Sequence, residues 1–491
     1  MRIFRASLLA YGVPLAAALG VRLVFLFPVL REPERALVTD SPTFLEIARI
    51  LRVEHRFDHL QRVPGYFAWV AAVQSTLGED LRILAILQVL LDLGATAAVA
   101  ALAGAAAGRR SALAGGLLYA LNGVTPLASC RVLVDSLAVF LLSLSFLELR
   151  PGRGIRGAAA SGVCLGLAAY VRPTALHLPL AVLPAFLAWP GGTRERTRAA
   201  ATYSCAFLLA VLPWYARNRL VFGSWIFTSL GHANLLMGYG ASAVSVRDGI
   251  TYEQAQMRLL ARLQEEGIAP ADETHPWGTR IESAVLDDPA LARAAGGVGL
   301  RVVWECRGAF VRAWLSSTLL LPLRLAHPGL GDLQAHLAPA YRHGPPDMRG
   351  DDASPVHLLK TGRFREGIGA LASRVGGPGE ARLWISLATF ATSLAIVSGS
   401  LLALPSAARG SGGPERFALL ASGCAGAVLV LTAIPAGATR YYAPALPPLC
   451  ACAGAGWAAA LSWIAERRGT RIPHDRPSAG AQAPDGGSRT P

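Results

Sequence analysis

The sequence predicts an all-α protein that crosses a lipid bilayer about ten times, and three observations carry that expectation. First, 53% of the 491 residues are hydrophobic and only 16% are charged, against about 25% charged in an ordinary globular protein. Mean hydropathy is +0.41. Second, the apolar residues fall in long blocks rather than alternating: Leu8–Leu30, Leu81–Ala107, Val132–Leu149, Ala199–Trp214, Leu383–Leu402, Phe417–Ile434 and Tyr442–Ala465. Several reach the roughly 20 residues that span a hydrocarbon core as helix. Third, the arginines gather in clusters two crossings apart.

Short cytoplasmic loops collect Arg and Lys, which sets orientation. Arg2 and Arg5 precede the first block and place the N-terminus inside. Arg109–Arg110, then Arg150/Arg153/Arg156, then Arg194/Arg196/Arg198 follow, with turns between them at Thr125–Arg131 and Tyr170–Thr174. Arg409/Arg416 and Arg467/Arg468/Arg471 continue the scheme, so both termini are expected in the cytoplasm. The first block is too long for a removable signal peptide and lacks a small-residue cleavage site, so it reads as a retained helix.

The chain then divides into four parts. Residues 1–223 form a transmembrane core with a first external loop at 31–80. Residues 224–381 form an extracytoplasmic region, 382–465 a C-terminal set of crossings, and 466–491 a disordered cytoplasmic tail of Arg, Pro, Gly and Ser. Within the external region, helices are expected at Thr251–Glu266 and Pro289–Ala295. Arg301–Leu325 is apolar but interrupted by Arg301, Glu305, Arg307, Arg312 and Arg324. A central arginine costs at least about 2.5–3.5 kcal/mol in a spanning helix, so this stretch reads as an interfacial amphipathic helix.

The net charge of +14 would suggest nucleic acid as a partner in a soluble protein. Lys360 is the only lysine among 46 basic residues, however, a bias that reflects composition and loop orientation, and no nucleic-acid partner is expected. The seven cysteines (Cys130, Cys164, Cys205, Cys306, Cys424, Cys450 and Cys452) form no CxxC pair and read as small buried hydrophobes. They indicate neither a disulfide framework nor a zinc site.

With this topology the unusual polar groups fall on the external face. In Asp40-Ser41-Pro42-Thr43-Phe44-Leu45-Glu46-Ile47-Ala48, Pro42 suits the first turn of a helix, with Asp40 or Ser41 as its cap. A plain cap is one reading of Asp40. Gln61-Arg62-Val63-Pro64-Gly65-Tyr66-Phe67 holds a turn at Pro-Gly, and Tyr66 and Trp69 suit the interfacial belt. Arg131 and Asp135 stand four apart, which fits a pair along one helix face. Arg172-Pro173, Pro213-Trp214-Tyr215-Ala216-Arg217-Asn218 and Arg440-Tyr441-Tyr442 add arginines on a side that ordinarily has few. Snorkelling explains any one of them; an anionic ligand explains the set. Asp92 lies inside a crossing and is expected to pair with a buried group. The Asp-Asp pairs Asp287/Asp288 and Asp351/Asp352 read as solvated turns.

In this order the pieces resemble the membrane glycosyltransferases of the GT-C fold that use lipid-carried sugars, similar to the protein O-mannosyltransferases (glycosyltransferase family 39) and the ArnT-like aminoarabinose transferases of lipid A. The matching residues are Asp40, Phe44 and Ala48; Arg62, Pro64, Gly65 and Tyr66, with Phe67 where proline is usual; Asp135, where Glu is commoner; and Arg172 with Pro173. Pro213, Trp214, Arg217, Asn218, Phe222 and Gly223 follow, then Gly231, Asn234 and Leu235, then Arg440, Tyr441, Tyr442, Pro444 and Pro447. The match covers about 7–240 and 383–465.

The resemblance implies transfer of a sugar from a polyprenyl-phosphate donor to a hydroxyl of a lipid, glycan or protein acceptor, with inversion, at the outer face of a bacterial-type inner membrane. Asp40 is then the general base. Arg172, Arg217, Arg440 and Arg62 are the candidates for the donor phosphate, with Asp135, Tyr66 and Tyr441 in support. Some relatives use a divalent metal; Asp40, Glu46, His55, Asp58 and His59 offer ligands without a diagnostic spacing, which leaves the metal open. The rival reading is a secondary transporter or lipid flippase, but the sequence shows no inverted repeat or paired broken helices.

Overall fold

A computed structural model describes residues 2–38, 40–269, 286–319, 365–366, 380–409, 414–431, 433 and 439–468. Among these every regular element is helical. The expectations for 320–325, Asp351/Asp352 and the tail beyond 468 lie outside the described residues.

The helices follow in the order of the apolar blocks. Arg2–Arg31 (α1) is followed by two helices of the first loop, Ser41–Glu54 (α2) and Gly65–Leu77 (α3). Leu81–Ala107 (α4), Arg109–Leu121 (α5), a short Val124–Ser129 (α6), Asp135–Glu148 (α7) and Gly154–Val171 (α8) come next. A broken segment, 3-10 at Pro173–His177, α at Leu178–Val182 (α9) and 3-10 at Leu183–Ala188, leads to Thr193–Phe222 (α10). Prolines at 173, 179 and 184 remove amide donors in each turn there, which keeps it from forming one regular helix.

Among the described residues five segments are long and apolar enough to cross a membrane: Leu9–Arg31, Leu81–Ala107, Gly154–Val171, Thr193–Phe222 and Tyr442–Arg467; Pro173–Ala188, Phe390–Pro405 and Phe417–Val430 are shorter apolar helices. α5 and α7, at 13 and 14 residues, span only about 20 Å. They sit inside the bundle against α1, α4 and α8, with Ala112, Tyr119, Val139 and Leu142 at 1% exposure or less.

The region after α10 builds a helical lobe from Leu230–Ala233 (α11), a π-helix at Asn234–Gly240, Ala241–Asp248 (α12), Tyr252–Glu265 (α13), Pro289–Glu305 (α14) and Arg307–Leu319 (α15). The sequence located α13 to within a residue, because Thr251 and Gln254 form the capping box that marks its start. α14 runs ten residues past its predicted end. The interfacial stretch beginning at Arg301 is divided between α14 and α15 by a break at Cys306. A wound π turn strands a carbonyl, and Met237 O is met by Tyr252 Oη at 2.6 Å and Gln256 Nε2 at 3.1 Å.

Three further helices complete the bundle: Glu380–Arg409 (α16), Pro414–Leu431 (α17) and, after a 3-10 turn at Thr439–Ala445, Leu446–Arg467 (α18). α18 is clasped between α5 and α16 by small residues, the usual device where lipid gives no hydrophobic drive between helices. A Cβ on Gly454 would stand 2.6 Å from Gly115 N, and one on Gly456 would strike Gly399 O.

One buried polar network ties the first half together. Arg22 of α1, fully buried, donates from Nε to Asp92 Oδ2 at 2.8 Å and from a terminal nitrogen to Thr125 Oγ1 at 3.1 Å, while Tyr119 Oη donates to Asp92 Oδ1 at 2.6 Å. Asp92 therefore has the buried partner expected of it. The sequence concealed that partner, since Arg22 stands in the middle of the first apolar block.

Candidate active site

The site is assembled where α1 hands over to α2. Asp40 occupies the N-cap position of α2 and Pro42 lies in its first turn, as predicted, but no side-chain cap bond forms; only its backbone oxygen serves the helix, accepting from Phe44 N at 3.1 Å. Ser41, fully buried, does the local anchoring. Its hydroxyl accepts from Val38 N (2.9 Å) and donates to Val132 O (3.0 Å), and Val132 N donates to Ala36 O at 2.8 Å. The chain around Asp40 is thus stitched to the turn before α7. The capping reading of Asp40 does not hold for its side chain, which is half-buried.

From α2 an aromatic row runs across this end of the bundle. Phe44 packs edge-on to Tyr66 and Phe67, each with centroids 5.6 Å apart, and Phe57 meets Phe67 at 5.8 Å and Trp214 at 5.6 Å. Trp214 continues to Tyr170 at 6.0 Å. The guanidinium of Arg62 lies 5.8 Å from the Phe44 ring centroid. Gly65 explains its own presence: a Cβ there would stand 2.6 Å from Tyr170 O, so only glycine lets α3 begin against the end of α8.

Beside that contact lies the acidic group. Asp135 (2% exposed) forms an ion pair through Oδ1 with Arg172 (8% exposed), a partner that the local spacing did not suggest. α7 starts only at Asp135, and Arg131, four positions earlier, lies in the turn before the helix. The second oxygen, Oδ2, is buried without a hydrogen-bond partner. Tyr66 Oη bonds Gln88 Oε1 at 3.1 Å, and Gln88 Nε2 donates to Arg131 O at 2.7 Å. Burial first, and the Asp135 charge second, push the Tyr66 phenol well above its ordinary range.

The Pro-Trp-x-x-Arg-Asn element divides into structure and chemistry. Trp214 Nε1 donates to Phe227 O at 2.9 Å, and Asn218 Nδ2 donates to Ile226 O at 2.7 Å and Phe227 O at 3.1 Å. Gly223 adopts φ +69 as α10 ends. These three staple the returning chain to the helix. Arg217 is the remaining member. It stacks 4.8 Å from Trp214 and 5.0 Å from Phe222, donates to Phe57 O, and reaches Asn218 Oδ1 at 2.9 Å.

The Thr439–Ala445 turn packs on α6 and α7, which brings the backbone at 440–441 to the same end of the bundle, with Tyr442 buried beneath it. The side chains of Arg440 and Tyr441 lie outside the described residues. Asp40, Arg62, Tyr66, Asp135, Arg172 and Arg217 are therefore brought to one end. The arginines at 109–110, 150–156 and 194–198 stand at the opposite ends of α5, α7, α8 and α10.

Among the described residues no group of three or more His, Cys, Asp or Glu side chains is placed to hold a metal. Glu46 is instead paired with Arg49 at 2.8 Å, and His59 lies 3.5 Å from Asp287. The residues named for a divalent ion do not converge, so no step is routed through one. All seven cysteines are free.

Fold and site together define a multi-pass, all-α membrane protein with an acid-and-arginine site at one end of its bundle. No family model matches the sequence, and no curated protein does. Solved structures resemble it in outline. An oligosaccharyltransferase from Archaeoglobus fulgidus in the apo form is 11% identical, over 94% of this chain and 52% of that one, with TM-score 0.46. ArnT from Cupriavidus metallidurans bound to undecaprenyl phosphate is 14% identical, over 94% of this chain and 80% of its own, with TM-score 0.39. The archaeal oligosaccharyltransferase AglB from A. fulgidus, in complex with an inhibitory peptide and a dolichol-phosphate, is 11% identical over 93% and 51%, with TM-score 0.42. The chain spans about half the length of the archaeal structures. These are enzymes of the class that the motifs resemble, and no residue role follows from superpositions so distant.

Proposed function

We propose that this protein is an integral membrane glycosyltransferase. It moves a sugar from a polyprenyl-phosphate donor to an acceptor hydroxyl, with inversion, on the extracytoplasmic face of the cell membrane. The observation that carries the reading is the company Asp40 keeps. A carboxylate at a helix start, whose side chain makes no capping bond, shares one end of the bundle with several arginines. Asp40 is the general base. It accepts the proton of the acceptor hydroxyl as that oxygen attacks the anomeric carbon from the side opposite the phosphate, which requires approach to about 3 Å. The bond to the phosphate oxygen breaks with its electron pair, and the departing phosphate takes up negative charge.

Fixed cations lower the cost of that departure. Arg217 and Arg62 present guanidinium groups over aromatic faces at the lipid boundary, and Arg172 stands behind them in its pair with Asp135. Arg440 and Tyr441 belong to the same end by backbone position, and Tyr66 fills the floor. The lobe built from residues 230–269 and 286–319 lies beside this site and is assigned to the acceptor.

The test is transfer of radiolabelled sugar from its polyprenyl-phosphate carrier in vesicles. Asp40→Asn is expected to lower the rate at least about 1,000-fold, within the scale of removing a general base together with its alignment. Expression and membrane insertion should not change. Parent-like turnover in that variant would remove the base assignment.

A further inference from the structure

The first and second external regions meet along one strap of chain, Phe57–Arg62, and a side chain from far along the sequence holds it. Asp287 precedes α14 by two residues. Its Oδ1 accepts from Leu60 N at 2.9 Å and Gln61 N at 3.1 Å, and its Oδ2 lies 3.5 Å from His59 Nδ1. On the strap's other edge Ser229 N donates to Leu60 O at 3.2 Å, and the Thr228 hydroxyl donates to Gln61 O. Arg217 holds Phe57 O at the strap's start. Its neighbour Asp288 does different work, capping α14 through Ala290 N at 2.7 Å and Leu291 N at 3.0 Å.

The Asp-Asp turn is therefore not merely solvated. Leu60 is fully buried and Gln61 is 5% exposed, so their backbone groups need partners, and an extended strap supplies none of its own. A carboxylate answers two adjacent amides with charge-assisted bonds. The strap ends at Arg62, whose guanidinium lies over Phe44, and directly after it comes the Pro64-Gly65 contact with α8.

We propose that Asp287 is a positioning residue through which the external lobe completes the site: it holds Phe57–Arg62 in place and thereby keeps Arg62 over Phe44 at the start of α2. The proposal rests on the glycosyltransferase reading only where it concerns donor binding.

The test uses the full chain in lipid nanodiscs, with two readouts. One is the rate of tryptic cleavage after Arg62; the other is binding of undecaprenyl phosphate. Asp287→Ala is expected to raise cleavage about tenfold or more and to weaken binding about fivefold or more, since two charge-assisted bonds are lost. Asp287→Asn keeps an oxygen that can accept both amide protons and is expected to stay within about threefold of the parent in both. Thr228→Val, which frees the opposite edge, should move both readouts in the same direction as Asp287→Ala. Unchanged cleavage in Asp287→Ala would overturn the proposal. So would faster cleavage with parent-like lipid-phosphate binding. If the parent binds no undecaprenyl phosphate, the glycosyltransferase reading fails by itself, and cleavage alone then decides whether Asp287 holds the strap.

Discussion

The Asp135–Arg172 pair is a buried ion pair at the site, and a double-mutant cycle measures its strength. Asp135 is 2% exposed and Arg172 8%. Removing one partner of such a pair leaves the other as an uncompensated buried charge, at a cost of about 3–5 kcal/mol. The two halves differ. Asp135 already has one carboxylate oxygen without a partner, so Arg172→Leu should fall near the upper end, about 5 kcal/mol. Arg172 ends α8 and has a long stem that can carry its charge toward the interface, so Asp135→Leu should fall near about 3 kcal/mol. With both removed no charge is stranded, and the coupling between the two changes should be at least about 2 kcal/mol. Equilibrium unfolding in mixed dodecylmaltoside–SDS micelles, followed by tryptophan fluorescence, gives all four corners. Single variants within about 1 kcal/mol of the parent, or strictly additive losses, would refute the reasoning.

Two further predictions concern the scaffold. Gly456→Ala should cost about 1–3 kcal/mol in the same assay, because its Cβ meets Gly399 O and stands 2.8 Å from Ala403 N, both backbone; Gly423→Ala, with open space around it, should cost nothing, and equal effects would contradict the clasp around α18. The lobe of α11 to α15 should lose stability as pH falls. Burial first, and the Arg293 charge second, hold the His232 imidazole below its ordinary value of 6.5. Hydrogen bonds from Arg247, Arg301 and Arg262 hold the Asp248, Glu266 and Glu305 carboxyls below theirs. Every one of these shifts makes the folded lobe bind fewer protons than the unfolded chain. The stability they add is complete above pH 6.5 and declines below it, first through the imidazole and then through the carboxylates. Hydrogen exchange in α13 and α14, corrected for intrinsic rates, should show protection falling in two phases, with the first absent in His232→Phe; a flat profile would refute it.

Much of the bundle was legible because lipid enforces a simple grammar. Long apolar blocks have few alternative meanings, and each block named from the sequence coincides with a helix, five of the helices being long and apolar enough to cross a membrane among the described residues. The helix at Tyr252 was legible for a different reason, since a capping box is a local signal. Long-range partners were not. Arg22 is invisible inside an apolar block, because its burial depends on Asp92 and Tyr119, 70 and 97 positions away. Arg131 and Asp135 had helical spacing without a helix between them, and the ion pair of Asp135 with Arg172, 37 positions on, left no local signal. Asp287 and Asp288 read identically in sequence, yet one caps its own helix and the other holds a strap 226 residues earlier. The repeated acid was the only local signal, and it did not say which acid did which.

The same distinction bears on how arginines could serve a lipid-borne phosphate. A guanidinium standing alone at the water–lipid boundary would be drawn into water, and it would bring to the phosphate a charge that solvent screens. Here each described cation at that end is held by something else first. Arg217 is fixed by Phe57 O and Asn218 Oδ1 and flanked by Trp214 and Phe222. Arg62 lies over Phe44, and Arg172 is paired with Asp135. The pairing of Arg172 nearly cancels its charge toward a distant anion, so what it adds is shape and donors at short range. The aromatic faces around Arg217 keep water from its planar surfaces while its edge carries five N–H groups, more than its two protein oxygens occupy. A planar, weakly hydrated cation tolerates that arrangement where an ammonium would not. An aromatic row that both positions Asp40's helix and dries the guanidinium surfaces would thus account for why base and cations occur together: a single packed surface fixes the distance between them.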